Sequence, residues 1–452
     1  MRSSAGPFDR RGGRRALASR RCVENSQVVQ NKRRFKRAET VGKKHESKGK
    51  PLRLRPPFVH RGSMTGAAPQ DATADLRIRS VEAFAISFAM PQDRIVRHGI
   101  GAAVKRDTVL VKVQTECGVV GWGEAHHGRG PTSIADLINS TLSHFLKGRS
   151  AAAPMDAWAA IYARHLASHG QGAGTMIALS GIDMALWDAR GRYWNTPCHL
   201  LMGGERKPVR AYAGGVSLGF QPPETLVEEV AALVAANWRA VKLRFGDGVD
   251  RDLPRLQAVR RAFPDLTIMV DVNCTYSLAD LRRTAPVLRD CEVLWLEEPF
   301  PAHDHRSYAE AKLLLGGVPL AAGENHYGRF EFHRLLEDGS VGIFQPDLSK
   351  AGGPTEVLRI ADMAGAWKIP VCPHIATGGL NHAATVHLLS AIDNGGWFEG
   401  DASPGNVFRD ALCRIEPDVE GMVFAPQGPG WGVDVDEALI RAYPPIAGPG
   451  FV

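Results

Sequence analysis

The chain has 452 residues, 44% hydrophobic and 23% charged, which is ordinary for a globular protein and enough for more than one domain. No run approaches the roughly 20 consecutive apolar residues of a membrane-spanning helix, so no membrane partner is expected. The seven cysteines are scattered without a CxxC pair. This pattern argues against a disulfide framework or a zinc ribbon and predicts a reducing, cytoplasmic location.

The net charge of +7 is concentrated at one end of the chain. Residues 1–63 hold 19 Lys and Arg against 4 Asp and Glu, a net of +15, which leaves −8 for residues 64–452. Because this segment lacks apolar periodicity and any nucleic-acid motif, residues 1–73 are predicted to be a disordered basic tail, and no nucleic-acid partner is expected. The segment is either a transit peptide or upstream sequence before a true start at Met64, and the second is favoured because ordered-looking sequence begins about ten residues after Met64.

Residues 74–208 are predicted to form an α+β capping domain. Residues 76–88 alternate like a strand, and residues 108–114 read as a second one. The stretch between them, Met90–Asp107, reads as a long loop, and such loops often serve as functional lids. Residues 176–193 carry apolar side chains at helical spacing and predict a helix.

Residues 209–402 repeat another pattern, in which short β-rich segments end in polar residues and precede helix-length stretches. Buried strands alternating with helices predict a parallel sheet, and eight repeats predict a (β/α)₈-type barrel or its (β/α)₇β variant. The Gly/Pro-rich residues 403–452 are predicted to return to the capping domain. The eight segments are VRAYAGG, RAVKLRFG, LTIMVDVN, EVLWLEEP, PLAAGEN, VGIFQPDLSK, IPVCPH and GGWFEG.

An ionisable side chain ends seven consecutive strands of this predicted barrel. A single such residue would more often cap the next helix, but seven in a row favour a functional ring, because barrel enzymes gather their catalytic groups where the strands end. Their separations are 27, 26, 27, 23, 27 and 25 residues. The seven residues are Arg244, Asp271, Glu297, Glu324, Asp347, His374 and Glu399.

Three adjacent repeats supply the carboxylates Asp271, Glu297 and Glu324. Without a counter-cation they would repel and raise one another's pKa, and an all-oxygen ligand set favours Mg²⁺ over Zn²⁺. Asn273 lies two residues after Asp271, on the same side of its strand, where it can serve the metal's surroundings or the substrate. Glu297 and Glu298 point to opposite sides of their strand, and periodicity alone does not say which one binds.

Two further pairs have the spacing of an acid–base site. Asp347 and His374 end neighbouring strands, and a carboxylate beside an imidazole fixes its tautomer and raises its basicity. Lys242 and Arg244 are two residues apart, so both can point into the mouth of the barrel.

The strings KLR, DVN, EEP, GEN, QPD and PH, in this order and spacing, resemble the mandelate racemase branch of the enolase superfamily. GVVGWGEA, ALSGIDMALWDARGRY and LLMGG resemble that family's capping domain, and GPGWGVDVDEALI its C-terminal segment, so the resemblance covers about residues 75–445. It implies that Asp271, Glu297 and Glu324 bind Mg²⁺. It also implies an Asp347–His374 acid/base dyad, an electrophilic Glu399 near the substrate carboxylate, and a homo-oligomer.

One position departs from the family pattern. The branch carries Lys-x-Lys where this chain has Lys242-Leu243-Arg244. Arginine stays protonated and is a poor base, so it is better suited to holding a carboxylate or an oxyanion. Because racemisation needs a base on each face of the substrate, the sequence favours the elimination of water instead.

The predicted function is therefore a Mg²⁺-dependent lyase. It would remove the proton α to a carboxylate through an enediolate and dehydrate an acid sugar to a 2-keto-3-deoxy acid. An isomerase, either a racemase/epimerase or a lactone cycloisomerase, is the second choice. A non-catalytic scaffold with a nucleic-acid-binding tail is the alternative from another class.

The substrate is expected to be a small-molecule carboxylate. Candidate contacts are Asn273 together with Arg97, His98 and Lys105 from the long early loop, while the His126-His127 pair follows the hairpin of the capping domain. A solvated charged loop is an equally weighted interpretation of these loop residues.

Overall fold

A computed structural model describes residues 76–376 and 378–452, which belong to one compact unit, Gly66–Val452. The predicted tail, residues 1–73, lies outside the described residues, as does Met64. Within the described residues no helix combines the length and apolar character needed to cross a bilayer.

The first part of the chain builds a three-stranded antiparallel sheet in the order β1–β4–β5. Both predicted strands are present. The predicted long loop holds a 3₁₀ turn, Gln92–Arg94, and a small hairpin in which Arg97 pairs with Ala102. The strands are β1 (Ile78–Ala89), β2 (Arg97–His98), β3 (Gly101–Ala102), β4 (Lys105–Thr115) and β5 (Val120–Ala125).

Helices cover one face of this sheet, and the predicted helix 176–193 lies within α4. It packs closely against β5 because that strand carries glycines. A Cβ on Gly121 would lie 2.2 Å from the carbonyl oxygen of Ala185, and one on Gly123 would lie 2.2 Å from that of Gly181. The helices are α1 (Pro131–Ser140), α2 (Pro154–Ile161), α3 (Ala167–His169), α4 (Ala173–Tyr193) and α5 (Cys198–Leu201), with a 3₁₀ turn at Leu142–Phe145 and a π turn at Tyr162–Leu166.

The predicted barrel is confirmed. Its strands run parallel in the order β11–β10–β9–β8–β7–β6–β12. The seventh predicted strand is reduced to Val371, which bridges Phe344 on one side and Gly395 on the other and so closes the ring. The strands are β6 (Val209–Gly214), β7 (Ala240–Arg244), β8 (Thr267–Asp271), β9 (Leu296–Glu297), β10 (Leu320–Ala322), β11 (Ile343–Phe344) and β12 (Trp397–Asp401).

A helix follows each barrel strand, and the eighth is a short one. The interior of the barrel is apolar on the side away from the C-terminal ends of its strands, with Tyr212, Met269 and Trp295 packed at its centre. The polar residues that end the barrel strands lie at the opposite end, where barrels of this kind gather their functional groups. The helices are α6 (Pro223–Ala235), α7 (Val249–Ala262), α8 (Leu278–Asp290), α9 (His305–Leu315), α10 (Gly328–Asp338), α11 (Gly353–Ala366), α12 (Gly379–Ala391) and α13 (Val407–Leu412).

The remaining residues return to the first sheet, as expected for the fold class. β13 (Met422–Val423) pairs antiparallel with the start of β6, and α14 (Ala438–Ala442) follows. The carbonyl of Tyr443 accepts a hydrogen bond from the amide of Ser87. Because the described residues form one compact unit, the predicted boundaries at residues 208/209 and 402/403 stay predictions.

Buried carboxylates fasten the first sheet and α4 to the barrel. Asp183 accepts hydrogen bonds from the amide and the hydroxyl of Thr355 at the start of α11, both at 2.7 Å. Glu124, at the end of β5, accepts from the amides of Gly378 and Asn381 at the start of α12, at 2.6 and 3.0 Å. Both carboxylates lie at helix N-termini, where anions are stabilised, and Glu124 thereby fixes the backbone just after His374.

Candidate active site

A cavity of about 400 Å³ lies over the C-terminal ends of the barrel strands, between these ends and the loops of the first sheet. Six of the twelve predicted site residues line it: His98, Lys105, Arg244, Asn273, Glu324 and His374. Five others form a buried layer that contacts these residues or one another: Lys242, Asp271, Glu297, Asp347 and Glu399. The twelfth, Arg97, belongs to neither group.

Lys242 is the centre of the buried layer. Its Nζ lies 2.7 Å from Glu297 Oε1, 2.9 Å from Glu399 Oε1 and 3.8 Å from Asp271 Oδ2. Burial acts to lower the pKa of Lys242, but the three carboxylates outweigh it and the pKa is raised. Lys242 is therefore held as a cation that draws three strand ends together.

Arg244 bridges the buried layer and the cavity. Its Nη1 pairs with Asp271 Oδ2 and its Nη2 donates to the carbonyl of Gly215, while Nε has no hydrogen-bond partner in the described part of the chain. Burial opposes the charge, yet Asp271 and neighbouring carboxylates raise the pKa of Arg244. A permanently charged guanidinium can hold an oxyanion but cannot accept a proton.

His374 links two carboxylates through its two ring nitrogens. Nδ1 lies 2.8 Å from Asp347 Oδ2, and Nε2 lies 3.0 Å from Glu324 Oε2. Burial disfavours the imidazolium, but Glu324 and Asp347 outweigh burial and raise the pKa of His374 well above its usual value. The predicted Asp347–His374 contact is thus present in the structure, with Nε2 on the cavity side.

Asp347 is fixed by its own surroundings. Its Oδ1 accepts from the amide of Ser349 at 2.7 Å, from the Ser349 hydroxyl at 2.6 Å and from Asn381 Nδ2 at 3.1 Å. These donors leave Oδ2 for His374. A carboxylate held in this way orients the imidazole and sets which nitrogen carries the proton.

The predicted metal ligands are each engaged by a cation. Asp271 pairs with Arg244, Glu297 with Lys242, and Glu324 with His374. No three His, Cys, Asp or Glu side chains of the described residues are arranged so that they can hold a metal ion. The set Asp271, Glu297 and Glu324 therefore stays a prediction, and sharing an ion requires Arg244 and His374 to release their carboxylates.

The donor chemistry of the site nevertheless fits a hard divalent cation. Burial, with neighbouring carboxylates, raises the pKa of both Glu297 and Glu298. The cations of this region therefore do not fully offset the burial and mutual repulsion of its carboxylates. Two buried acceptors, Glu298 Oε1 and Asn273 Oδ1, lack hydrogen-bond partners among the described residues. Carboxylate and amide oxygens are the ligands that Mg²⁺ prefers.

The structure also shows on which side each of the paired glutamates lies. Glu297 points into the barrel, where it accepts from Trp295 Nε1 at 3.2 Å and Gln345 Nε2 at 2.8 Å. Glu298 lines the cavity and accepts from Asn325 Nδ2 at 2.8 Å. Alternation along a strand explains the opposite directions but gave no sign that Glu298 reaches the cavity.

Two of the predicted loop contacts reach the cavity and one does not. His98 and Lys105 are buried and line it. Arg97 is exposed and lies outside it, because alternation along β2 turns adjacent side chains to opposite sides. We therefore leave Arg97 out of the proposed substrate contacts.

Lys350 is a cavity residue that the sequence reasoning missed. Its Nζ lies 3.2 Å from Asn325 Oδ1 and 3.7 Å from Glu324 Oε1, and Glu324 helps to raise the pKa of Lys350 against the effect of burial. Its place three residues after Asp347, in the loop that follows β11, was the available signal. Arg106 was also missed, although it follows the predicted contact Lys105 directly; it is the second residue of β4.

Comparison with known proteins identifies the family. Residues 81–203 match the model of the mandelate racemase / muconate lactonizing enzyme N-terminal domain, and residues 225–439 match that of the enolase C-terminal domain-like family. The chain belongs to the mandelate racemase / muconate lactonizing enzyme family. This confirms the resemblance seen in the sequence, and the protein is an enzyme of that family.

Two curated relatives within this family carry different activities in their names. The chain is 32% identical over 352 residues to D-galactarolactone cycloisomerase of Agrobacterium fabrum, covering 75% of this chain and 92% of that one. It is also 32% identical over 353 residues to D-galactonate dehydratase of Ralstonia nicotianae, covering 74% and 90%.

Solved structures of the enolase superfamily agree with the fold. A member from Polaromonas sp. JS666 is 45% identical with a TM-score of 0.81, covering 83% of this chain and all of that one. A racemase from Streptomyces coelicolor with bound magnesium is 26% identical with a TM-score of 0.73, covering 81% and 99%.

Proposed function

We propose that this member of the mandelate racemase / muconate lactonizing enzyme family is a Mg²⁺-dependent acid-sugar dehydratase. It would convert an acid sugar to a 2-keto-3-deoxy acid by removing the proton α to the carboxylate and expelling a β-hydroxyl as water. The observation that carries the proposal is the series of contacts Asp347–His374–Glu324 at a buried cavity. The same cavity is lined by Arg244, a permanently charged arginine that stands in place of a second base.

Asp271, Glu297 and Glu324 are the residues that would hold Mg²⁺. When bound, the ion would withdraw charge from the substrate carboxylate and so acidify the neighbouring C–H. The oxygen-only donor set and the partnerless buried oxygens of Asn273 and Glu298 support this assignment.

His374 is proposed to move the proton at Nε2, because Nδ1 is held by Asp347 at 2.8 Å. If Glu324 served as a metal ligand, His374 Nε2 would be released from it and could face the substrate. The neutral imidazole would take the α-proton and, as the imidazolium stabilised by Asp347, give it to the departing β-hydroxyl, which leaves as water. Arg244 and Lys242 would stabilise the enediolate electrostatically, and Glu399, held against Lys242, lies beside them.

Removal of the metal tests the proposal directly. Treatment with EDTA is expected to lower the rate of 2-keto acid formation from acid sugars by about 10³-fold, and added Mg²⁺ should restore it, because the ion supplies several kcal/mol of charge stabilisation. The measurement is keto-acid formation from a panel of aldonic and diacid sugars. A panel that yields no metal-dependent keto acid would contradict the proposed function.

Arg244 gives a second test, of stereochemistry. The wild-type enzyme is expected to exchange the α-proton on one face only, so substrate recovered from D₂O should keep its configuration. Arg244→Lys restores a titratable amine on the other face and is expected to raise epimer formation at least about 10-fold. Arg244→Met, which has no base, is the control. Epimerisation by the wild-type enzyme at the rate of Arg244→Lys would show that Arg244 does not limit the reaction to one face.

Lactone cycloisomerisation is the second candidate, since the relative of which 92% is covered is a D-galactarolactone cycloisomerase. It would use the same acid–base pair on a lactone ring, where the ring carboxylate rather than a hydroxyl leaves the β-carbon and the product is again a keto acid. Keto acid formed from the lactone but not from the open-chain acid sugar would favour it. The predicted homo-oligomer and cytoplasmic location remain part of the proposal. A nucleic-acid-binding tail is not proposed, and deletion of residues 1–63 is expected to leave turnover unchanged.

A further inference from the structure

Three imidazoles, His98, His126 and His127, line the part of the cavity formed by the first sheet and its loops. His126 and His127 follow β5, and their ring centroids are 3.9 Å apart. Nδ1 of His126 accepts the amide of Gly128 at 3.1 Å, and Nδ1 of His127 accepts that of Arg129 at 2.9 Å. In each neutral ring the proton must therefore lie on Nε2, which makes both residues fixed donors.

These rings are held neutral. Burial lowers the pKa of His98 and of His127 to about 3, and it lowers the pKa of His126 well below its usual value. Neither ring nitrogen of His98 meets a hydrogen-bond partner at good geometry within residues 76–376 and 378–452. A neutral imidazole offers one donor and one acceptor, which is what a hydroxyl group needs, since a hydroxyl also donates and accepts.

The buried cations beside these imidazoles already have counter-ions. Lys105 Nζ lies 3.2 Å from Asp107 Oδ1 and donates to the carbonyl of Ile446 at 2.6 Å. Arg106 Nη2 donates to Ser403 Oγ at 2.5 Å and lies 3.7 Å from Asp401 Oδ2. Each cation therefore already faces a carboxylate of the protein, so a second substrate carboxylate here would meet no uncompensated charge, and burying an unpaired charge is unfavourable. The buried Nε of Arg106 has no hydrogen-bond partner among the described residues and is left to donate to a neutral substrate oxygen.

Arg129 and Phe451 lie on the outer side of this part of the cavity. The Phe451 ring stands edge-on to His98 with centroids 5.4 Å apart, and the exposed guanidinium of Arg129 lies over that ring at 5.4 Å. Phe451 is fixed because Val452 pairs with Ala102 through two backbone hydrogen bonds of 2.7 and 3.0 Å. The Phe451 ring thus contacts both His98 and the guanidinium of Arg129, which lies at the edge of the cavity lining.

We propose that His98, His126 and His127 form a hydroxyl-binding subsite, so that the substrate is a monocarboxylic polyhydroxy acid rather than a dicarboxylic sugar acid. This inference rests on the proposed function for the position of the carboxylate end, which lies at the strand ends with Arg244 and His374. The hydroxyl-bearing end then extends toward the first sheet, where the Nε2–H groups donate to its oxygens and the partnerless nitrogens of His98 are satisfied.

The test is direct binding to the Mg²⁺-loaded full chain by titration calorimetry, with D-galactonate, galactarate and glycerate as ligands. The wild-type protein is expected to bind D-galactonate at least about 10-fold more tightly than galactarate, the diacid of the same configuration. His127→Phe keeps an aromatic ring but loses the Nε2–H donor, and it is expected to weaken the binding of D-galactonate about 10-fold. Glycerate is too short to reach the subsite, so its affinity should change less than about 3-fold in this variant.

Two further variants keep the result decisive. His127→Gln retains a neutral donor and is expected to recover most of the affinity, and it replaces His127→Phe if the latter does not fold. His333→Phe, at an exposed position on α10, is the matched control and should bind D-galactonate as the wild type does. Galactarate binding as tightly as D-galactonate, or affinity for D-galactonate unchanged in both His127 variants, would overturn the inference.

The binding readout separates this inference from the proposed function. Preferential binding of D-galactonate without any keto-acid product would support the hydroxyl subsite while contradicting dehydration. Metal-dependent turnover with galactarate preferred over D-galactonate would support dehydration while contradicting the hydroxyl subsite.

Discussion

His374→Asn is expected to lower kcat for the α-proton reaction by roughly 10³- to 10⁴-fold, because it removes the group that moves the proton at Nε2. Asp347→Asn should cost about 10²-fold or more, since an amide can no longer stabilise the imidazolium and also admits the wrong tautomer. Glu324 remains available to the metal in both variants. Substrate affinity, measured by calorimetry, should change less than about 3-fold, because neither change removes the contacts that hold the carboxylate.

The chain offers a matched control for this pair. His305 Nδ1 lies 2.6 Å from Asp338 Oδ2, so it forms a histidine–carboxylate contact of the same kind outside the cavity. His305→Asn is expected to leave kcat unchanged. If His374→Asn retained more than about a tenth of the wild-type kcat, His374 would not be the acid–base group.

Asp188→Ala is expected to lower the free energy of unfolding by about 3–5 kcal/mol. Its fully buried carboxylate accepts from the amides of Trp122 and Trp431, both at 2.9 Å, and pairs with Arg192 Nε at 2.7 Å. Removing it leaves two buried amides without an acceptor and detaches β5 and the C-terminal segment from α4. Urea unfolding followed by circular dichroism measures the effect.

Asp434 is the control for Asp188, because it pairs with the same arginine. Asp434 lies 3.2 Å from Arg192 Nη1, but its side chain is 99% exposed. Asp434→Ala should change the free energy of unfolding by less than about 0.5 kcal/mol, as for most exposed ion pairs. Equal losses in the two variants would show that the ion pair, rather than the buried amides, accounts for the effect.

The barrel was predictable because each repeat carries its own local signal, a buried apolar run followed by a polar residue. That signal weakened at the seventh repeat, where only Val371 bridges its neighbours, yet the following His374 still reaches the cavity. The hairpin β2–β3 was not predicted, since two-residue strands leave no detectable alternation in the sequence.

The internal pairing of the site could not be read from the sequence. Contacts such as Lys242 with Glu399 join residues 157 positions apart, and spacing along the chain says only that both lie at strand ends. The partners of Arg106 are equally non-local, since Asp401 and Ser403 come from the eighth barrel repeat, whereas Lys105 pairs with Asp107 two residues further along β4. These pairings decide which cations are available to a substrate, and only the folded chain brings them together.

The most direct measurement is a crystal structure of the enzyme with Mg²⁺ and D-galactonate. We expect one ion at about 2.0–2.1 Å from oxygens of Asp271, Glu297 and Glu324, with His374 Nε2 released from Glu324 and facing the α-carbon. An ion held by Glu298 in place of Glu297, or three carboxylates still paired with Arg244, Lys242 and His374 while substrate is bound, would contradict it.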